Sequence, residues 1–197
     1  MKTALQDAGS LKQRDIGRET GIDPDLRVRA ERVEGRGDGP AEIDPDRRVE
    51  GADERIAYEI HTRNESLEGD RHPVTGVPFE RKTVEDADGN EVTGVFPVFD
   101  SVFDAPLPDG LLQSSDREQF DACNGQLRDA VDKDPDLAEK FTPEELEQIR
   151  NGETPDGYTW HHTEEKGRMQ LVDADVHAQT GHTGGRVIWG GGEENRY

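Results

Sequence analysis

The sequence predicts an α+β domain over residues 56–197 that follows a disordered N-terminal arm. Three observations predict this fold class. Strand-like alternation with turn residues occurs in two separate regions, two stretches with helix-capping signals lie between those regions, and the first 55 residues lack an apolar pattern. A chain of 197 residues has room for one ordinary domain and a tail.

The arm, residues 1–55, is predicted to be a charged linker or adaptor. Its apolar residues are sparse, and Gly, Pro and charges of both signs dominate residues 35–54. A segment of this composition cannot bury enough surface to offset the entropy lost on ordering. We therefore expect that removal of residues 1–53 leaves the stability of the remaining domain unchanged.

Two strands are predicted at the start of the domain. Residues 56–61 alternate between apolar and polar side chains, and residues 86–99 read as a turn followed by an apolar strand. Pro97 should confine that strand to a sheet edge or end it early. Residues 72–79 contain two prolines and a glycine, which favour a loop.

Two helices with strong start signals follow. Ser115 and Glu118 form one capping box, and Thr142 and Glu145 form another with Pro143 at the first helical position. After the first box, apolar residues recur at helical spacing on one face, at Phe120, Cys123, Leu127 and Val131. Both helices are interpreted as scaffold.

The composition excludes several classes of protein. The lone cysteine rules out an internal disulfide framework and every cysteine-based zinc cluster, so any metal site must use His, Asp or Glu. No stretch is long and apolar enough for a membrane helix, and the N-terminus lacks the apolar run of a Sec signal peptide. We expect a soluble protein with no membrane partner.

The chain is strongly acidic, with a net charge of −21. Residues 56–150 hold 23 of the 45 acidic residues but only 9 of the 24 basic ones. This charge opposes the binding of nucleic acid in dilute buffer. The acidity fits a protein from a salt-loaded cytoplasm, where screening mutes repulsion, or a secreted domain that is kept soluble by its charge.

Four of the six histidines fall between residues 161 and 182. The segment around them predicts a strand over residues 158–162, a turn, a strand over residues 168–172, and a short helix over residues 174–179 capped by Asp173. The other two histidines, His61 and His72, have no metal-spaced partner nearby and are interpreted as surface or loop residues.

This hairpin and helix can bring His161 and His162 against His177 around one divalent cation. Imidazoles suit first-row metals, and a neutral imidazole is also a good base near neutral pH. Adjacent strand residues point to opposite faces, so His161 and His162 cannot both bind one ion without a bend. One should be a ligand and the other a general base, in either order.

The stretches TWHH (159–162), MQLVDADVH (169–177) and GHTGG (181–185) closely resemble the HNH/endonuclease VII superfamily of ββα-metal nucleases. The resemblance is to the subgroup with a Trp-His-His motif, found as toxin domains in bacterial conflict proteins. It is specific over about 30 residues inside a core motif at residues 157–192, and it continues weakly upstream to about residue 70. Asp173 and Val176 occupy positions where the zinc-ribbon members of the superfamily have cysteines. This difference excludes a structural zinc but does not affect the catalytic ion.

The resemblance implies a ββα-metal hairpin-helix module that hydrolyses phosphodiester bonds of DNA with one divalent ion, Mg, Mn, Ni or Zn. It implies that His161 and His177 bind the metal and that His162 is the general base. It makes His182 a third ligand or a phosphate contact. Weaker candidates for phosphate contacts are Lys166, Arg168 and Arg186.

The family further implies a cognate immunity protein, export by a dedicated secretion system and action in the cytoplasm of a target cell. Two other functions stay open on the residues alone. The histidines can build a structural zinc or metal-binding interaction module without catalysis. His162 and His177 can also serve as the acid and base of a metal-independent ribonuclease.

Overall fold

The computed structural model describes residues 28–29 and 55–190, and it confirms the predicted α+β class. The strands are β1 (Val28–Arg29), β2 (Ala57–Ile60), β3 (Phe79–Glu85), β4 (Glu91–Pro97), β5 (Phe103–Pro106), β6 (Tyr158–His162) and β7 (Arg168–Asp173). The α-helices are α1 (Asp116–Val131), α2 (Pro135–Ala138), α3 (Pro143–Arg150), α4 (Ala174–Gln179) and α5 (Gly185–Ile188), and short 3-10 helices cover Glu65–Leu67 and Asp109–Leu111. Within the described ranges, none of the helices combines the length and the hydropathy that a bilayer crossing needs.

The first sheet has the strand order β1-β2-β4-β3. Strands β3 and β4 form an antiparallel hairpin, and β2 runs parallel to β4. Asp86 closes the hairpin turn, because its Oδ1 accepts hydrogen bonds from the backbone N–H groups of Asp88 (2.8 Å) and Asn90 (2.9 Å). The predicted early stop at Pro97 is confirmed, since β4 ends there although it lies inside the sheet.

The second sheet has the order β5-β7-β6 and carries the predicted histidine hairpin. Strands β6 and β7 pair antiparallel, with Tyr158 opposite Asp173 and His162 opposite Met169. Gly167 has a φ of 73° in the connecting turn, a conformation that favours glycine. The predicted hairpin and the short helix α4 are confirmed, and the side chain of Asp173 caps that helix by accepting from the N–H of Val176 at 2.8 Å.

Both predicted capping boxes are present. In α1 the hydroxyl of Ser115 accepts from the backbone N–H of Glu118, and the Glu118 carboxylate accepts in return from the Ser115 N–H. Thr142 and Glu145 do the same for α3. Each box satisfies two backbone donors that the first helical turn would otherwise leave without partners.

One hydrophobic core joins α1 and α3 to both sheets. Fully or nearly fully buried members from these elements are Phe96, Cys123, Leu127, Ile149, Trp160 and Leu171. Burial raises the pKa of the Cys123 thiol to about 12, so this cysteine behaves as a small apolar side chain. The indole N–H of Trp160 donates to Asn124 Oδ1 at 2.8 Å, which lets the ring lie inside the core.

Two residues of the predicted arm take part in a sheet. Strand β1 pairs antiparallel with β2, with Val28 opposite Ile60 and Arg29 opposite Glu59. The rest of the arm, residues 1–27 and 30–54, lies outside the described residues, as do residues 191–197. The boundary between residues 55 and 56 therefore stays a prediction.

Candidate metal centre

Strand β6 carries His161 and His162 as neighbours, and their side chains make contacts on different sides of the strand. The ring of His161 lies 5.2 Å from that of His177 and 4.9 Å from that of His182, measured between centroids. His162 instead contacts Gln119 of α1. This is the alternation that regular strand geometry requires.

Three histidines from three structural elements meet at one point. His161 comes from β6, His177 from α4, and His182 from the loop between α4 and α5. Their ligand nitrogens all lie within 4.8 Å of one another, and Nδ1 of His161 is 3.3 Å from Nε2 of His177. Two nitrogens bound to a tetrahedral ion at about 2.0–2.1 Å would be separated by about 3.3 Å, so this pair already has the spacing of two ligands.

Burial keeps these three imidazoles neutral. It lowers the pKa of His161 well below its ordinary value, and the neighbouring His182, His177 and His162 lower it further. Burial also lowers the pKa of His177 to about 4 and that of His182 below its usual range. A neutral imidazole has a lone pair on one ring nitrogen, and this neutral form is the one that binds metal.

A hydrogen bond from the ligand loop orients His182. Its Nδ1–H donates to the backbone carbonyl of Thr180 at 2.7 Å. The lone pair of the neutral ring then lies on Nε2. Metal-bound histidines commonly make this kind of second contact, which fixes both the tautomer and the ring orientation.

The phenyl ring of Phe99 forms an apolar wall beside the three histidines. Its centroid lies 4.8 Å from His161, 5.4 Å from His177 and 5.2 Å from His182. Phe99 is buried and belongs to a small cluster with Val77 and Val172. An apolar wall excludes water from one side of the centre and thereby strengthens electrostatic interactions within it.

Gly184 allows the ligand loop to pass close to β6. A Cβ atom at this position would lie 3.0 Å from the His162 carbonyl oxygen, 3.5 Å from Cε1 of His161 and 3.6 Å from Cδ2 of His182. The three neutral nitrogen donors fit a divalent transition metal. In the described part of the chain the group contains three protein donors, which leaves coordination positions for water or substrate.

His162 lies in a second, polar cluster next to the metal centre. Its Nε2 is 2.7 Å from Gln119 Oε1 and 3.8 Å from Asp116 Oδ1. The guanidinium of Arg186 contacts the same Asp116 oxygen. Arg186 therefore lies near His162, although it is engaged by a carboxylate.

The other two expected phosphate contacts lie in ion pairs. Lys166 Nζ is 3.2 Å from Glu85 Oε1, and Arg168 forms ion pairs with Asp104 at 2.7 Å and Glu165 at 2.8 Å. These carboxylates neutralise both cations. The contacts of Lys166 and Arg168 do not place either residue at the histidine cluster.

Arg63, which the sequence did not single out, lies beside His182. Its backbone N–H donates to Thr183 Oγ1 at 3.0 Å, and its side chain fills the space that a Cβ of Gly181 would need. Its charge contributes to the lowered pKa of His182. Arg63 is exposed, and among the described side chains no carboxylate forms an ion pair with it. Arg63 and Thr183 are more than 100 residues apart, so no local pattern in the sequence predicts their contact.

One of three comparisons with known proteins found a match. Neither a curated protein nor a solved structure matches the chain. The family model of the DNase/tRNase domain of colicin-like bacteriocins matches residues 88–184. The matched region contains β6, β7, α4 and all three clustered histidines, and the similarity supports a nuclease toxin domain.

Proposed function

We propose that this domain is a metal-dependent endonuclease that hydrolyses phosphodiester bonds of DNA and acts as a toxin between bacteria. The observation that carries the proposal is the group of three neutral imidazoles on a strand, a helix and a loop of one hairpin-helix unit. The similarity to a DNase/tRNase domain supports a nucleic acid as the substrate.

His161, His177 and His182 would hold one divalent ion. An all-imidazole donor set favours Zn, Ni and related metals over Mg, which prefers oxygen ligands. When bound, such an ion supplies Lewis-acid stabilisation of the charge that develops on the scissile phosphate and on the leaving oxygen.

His162 acts as the general base in this proposal. It takes a proton from the attacking water while the water oxygen bonds to phosphorus. The bond from phosphorus to the 3′-oxygen breaks, and the released 3′-oxygen takes up a proton from solvent. Positioned base catalysis contributes about 10²- to 10⁴-fold to a rate. The reverse assignment is less well supported, because His161 shares the cluster with two other potential ligands.

Arg63 is the best candidate for a contact to the substrate phosphate. It is exposed beside His182, and a guanidinium can bind two phosphate oxygens at once. Arg186 is a second candidate through its position near His162. Arg186 is paired with a carboxylate as well, but that carboxylate, Asp116, lies 3.8 Å from His162. Lys166 and Arg168 are weaker candidates, because the carboxylates that pair with them belong to Glu85, Asp104 and Glu165, away from the histidines.

The two alternative functions fit the geometry less well. A structural zinc site is normally closed by four protein ligands, whereas three donors meet in the described residues. A metal-independent ribonuclease would use only His162 and His177, and it would leave the convergence of His161 and His182 on His177 without a role.

The biological setting is part of the proposal. A domain over residues 56–197 would carry the nuclease, with its core motif at residues 157–192, and residues 1–55 would link it to other parts of a delivery system. A nuclease toxin endangers the cell that makes it, so a cognate immunity protein should accompany this one. Export by a dedicated secretion system would take it to the cytoplasm of the target cell.

A plasmid-cleavage assay tests the proposal. The full chain is incubated with supercoiled plasmid, and in parallel with tRNA, in the presence of Mg²⁺, Mn²⁺, Ni²⁺, Zn²⁺ or excess EDTA. We expect cleavage of DNA with at least one metal and none in EDTA, and His177→Ala serves as a matched inactive control. Undiminished cleavage in EDTA would exclude the metal-dependent mechanism, and cleavage of tRNA alone would change the substrate to RNA.

A further inference from the structure

We infer that Gln119 is a positioning residue that holds the ring of His162 and sets which of its nitrogens accepts the proton. The inference rests on the proposed function, in which His162 is the general base. Gln119 lies on α1, outside the hairpin-helix unit, and 43 residues separate it from His162.

The carboxamide of Gln119 has one favourable orientation. Its Nε2 group donates to the backbone carbonyls of Leu111 at 2.8 Å and Leu112 at 3.0 Å. The opposite orientation would bring its oxygen against both carbonyl oxygens, with no donor between them. The two carbonyls therefore fix Oε1 of Gln119 towards His162.

This orientation determines the tautomer of His162. An amide oxygen can only accept, so Nε2 of His162 must be the donor in the 2.7 Å contact with Gln119 Oε1. In the neutral ring the lone pair is then on Nδ1. Nδ1 is consequently the atom that can take a proton from water.

The surroundings of His162 support a fixed ring. Its centroid lies 5.9 Å from that of Phe120 and 5.5 Å from that of Trp189, so aromatic side chains limit its rotation. Asp116, which is paired with Arg186, lies 3.8 Å from Nε2, the same nitrogen that Gln119 holds. The fixed orientation of the ring thus suits a base.

Burial of Gln119 also calls for an explanation. Its side chain is fully buried, and an amide inside a core costs free energy unless its donors and acceptor are satisfied. An apolar residue would avoid that cost but would leave Nε2 of His162 without this acceptor. The contact with His162 accounts for a polar residue at this position.

A double-mutant cycle tests the inference through the rate of cleavage. The variants are Gln119→Met, His162→Ala and the double substitution, with Gln126→Met as the matched control on the same helix, where Gln126 also donates to a backbone carbonyl. We expect Gln119→Met to lower kcat about 10-fold or more, within the range of base catalysis, with KM and metal affinity unchanged. In the His162→Ala background it should have no further effect, because the residue through which it acts is gone.

Nitrogen-15 NMR of the metal-free full chain gives a second readout that does not depend on turnover. His162 should show the Nε2–H tautomer, and Gln119→Met should disturb that signal while Gln126→Met leaves it unchanged. An Nδ1–H tautomer in the unsubstituted protein would overturn the inference, as would an equal loss of kcat from Gln119→Met in both backgrounds.

The outcomes separate this inference from the proposed function. If the protein cleaves DNA with metal, His162→Ala is inactive and Gln119→Met keeps full activity, the inference about Gln119 is wrong and the nuclease proposal stands. If the protein cleaves nucleic acid with no metal at all, the nuclease proposal fails, and the NMR tautomer still decides whether Gln119 orients the ring.

Discussion

The carbonyl oxygen of Thr163 stands where residue 185 would carry its Cβ atom, so glycine is needed at that position. Thr163 directly follows β6, and Gly185 is the first residue of α5. The indole N–H of Trp189 donates to the same Thr163 carbonyl at 2.9 Å. The end of the histidine strand and the start of α5 are therefore packed together without room for a side chain.

Gly185→Ala should lower the stability of the domain. The added methyl group forces a backbone shift, and overpacking of this kind costs about 1–3 kcal/mol. Urea unfolding followed by circular dichroism measures the change. Gly125→Ala is the matched control, because Gly125 lies inside α1 with nothing within 4 Å of its Cβ position, and it should gain about 0.5–1 kcal/mol. Equal effects of the two substitutions would contradict the packing argument.

His162→Ala and His177→Ala should separate the base from a ligand. We expect His162→Ala to reduce the cleavage rate by about 10²- to 10⁴-fold while metal affinity stays near that of the unsubstituted protein. His177→Ala should lose both activity and metal binding, because it removes one of three donors. Calorimetric titration with Zn²⁺ or Ni²⁺ measures the affinities. Loss of the metal in His162→Ala with retention in His161→Ala would reverse the two roles.

Arg63→Ala should weaken DNA binding more than Arg168→Ala does. Arg63 lies exposed beside the metal centre, whereas Arg168 is held by Asp104 and Glu165. Loss of one phosphate contact should reduce the salt dependence of binding by about 1 on a log-log plot. Fluorescence anisotropy with labelled DNA, in EDTA to prevent cleavage, measures that slope. An unchanged slope in Arg63→Ala would remove Arg63 from the substrate site.

Acid should destabilise the metal-free protein. Burial lowers the pKa of His177 from its ordinary 6.5 to about 4, so the folded state favours the neutral ring. The resulting stability is fully present above pH 6.5 and is lost as the pH falls towards 4. We expect a loss of about 2 kcal/mol from this residue, reduced from the full linkage value because the ring is partly exposed. Thermal melts between pH 7 and 4 should show a weaker pH dependence in His177→Ala but not in the control His61→Ala, whose side chain is exposed.

Two truncations should measure the contribution of the arm to stability and to cleavage. Deletion of residues 1–27 should leave the melting temperature and DNA cleavage unchanged. Deletion of residues 1–53 also removes β1, which pairs with β2 through two residue pairs. It should therefore cost about 1 kcal/mol, in place of the unchanged stability expected from the sequence, while cleavage is retained. Loss of activity in the shorter deletion would show that the arm contributes to the site.

Local signals in the sequence were sufficient for several elements. The capping boxes at Ser115 and Thr142 were predictable because each partner lies three residues away, within one helical turn. The histidine hairpin and α4 followed from alternation, turn residues and the cap at Asp173. Each of these elements is determined by interactions between residues that are close in sequence.

Strands β3 and β5 were not predicted, because tertiary contacts define them. Strand β5 has four residues, ends in a proline and pairs with β7, so that Phe103 lies opposite Leu171. The same limit applies to the site. Phe99, Arg63 and Gln119 reach the histidines from elements far away in sequence, and no spacing pattern marks such contacts.

The buried thiol of Cys123 gives the chain its own reporter of unfolding. It is the sole cysteine of the sequence, it lies fully inside the core, and its pKa of about 12 keeps it protonated at neutral pH. A thiol-reactive dye therefore labels molecules only after α1 has opened. A cysteine introduced at Val74, whose side chain is 73% exposed, would in contrast be labelled in the native protein, so one dye could be attached at a chosen point without removing Cys123.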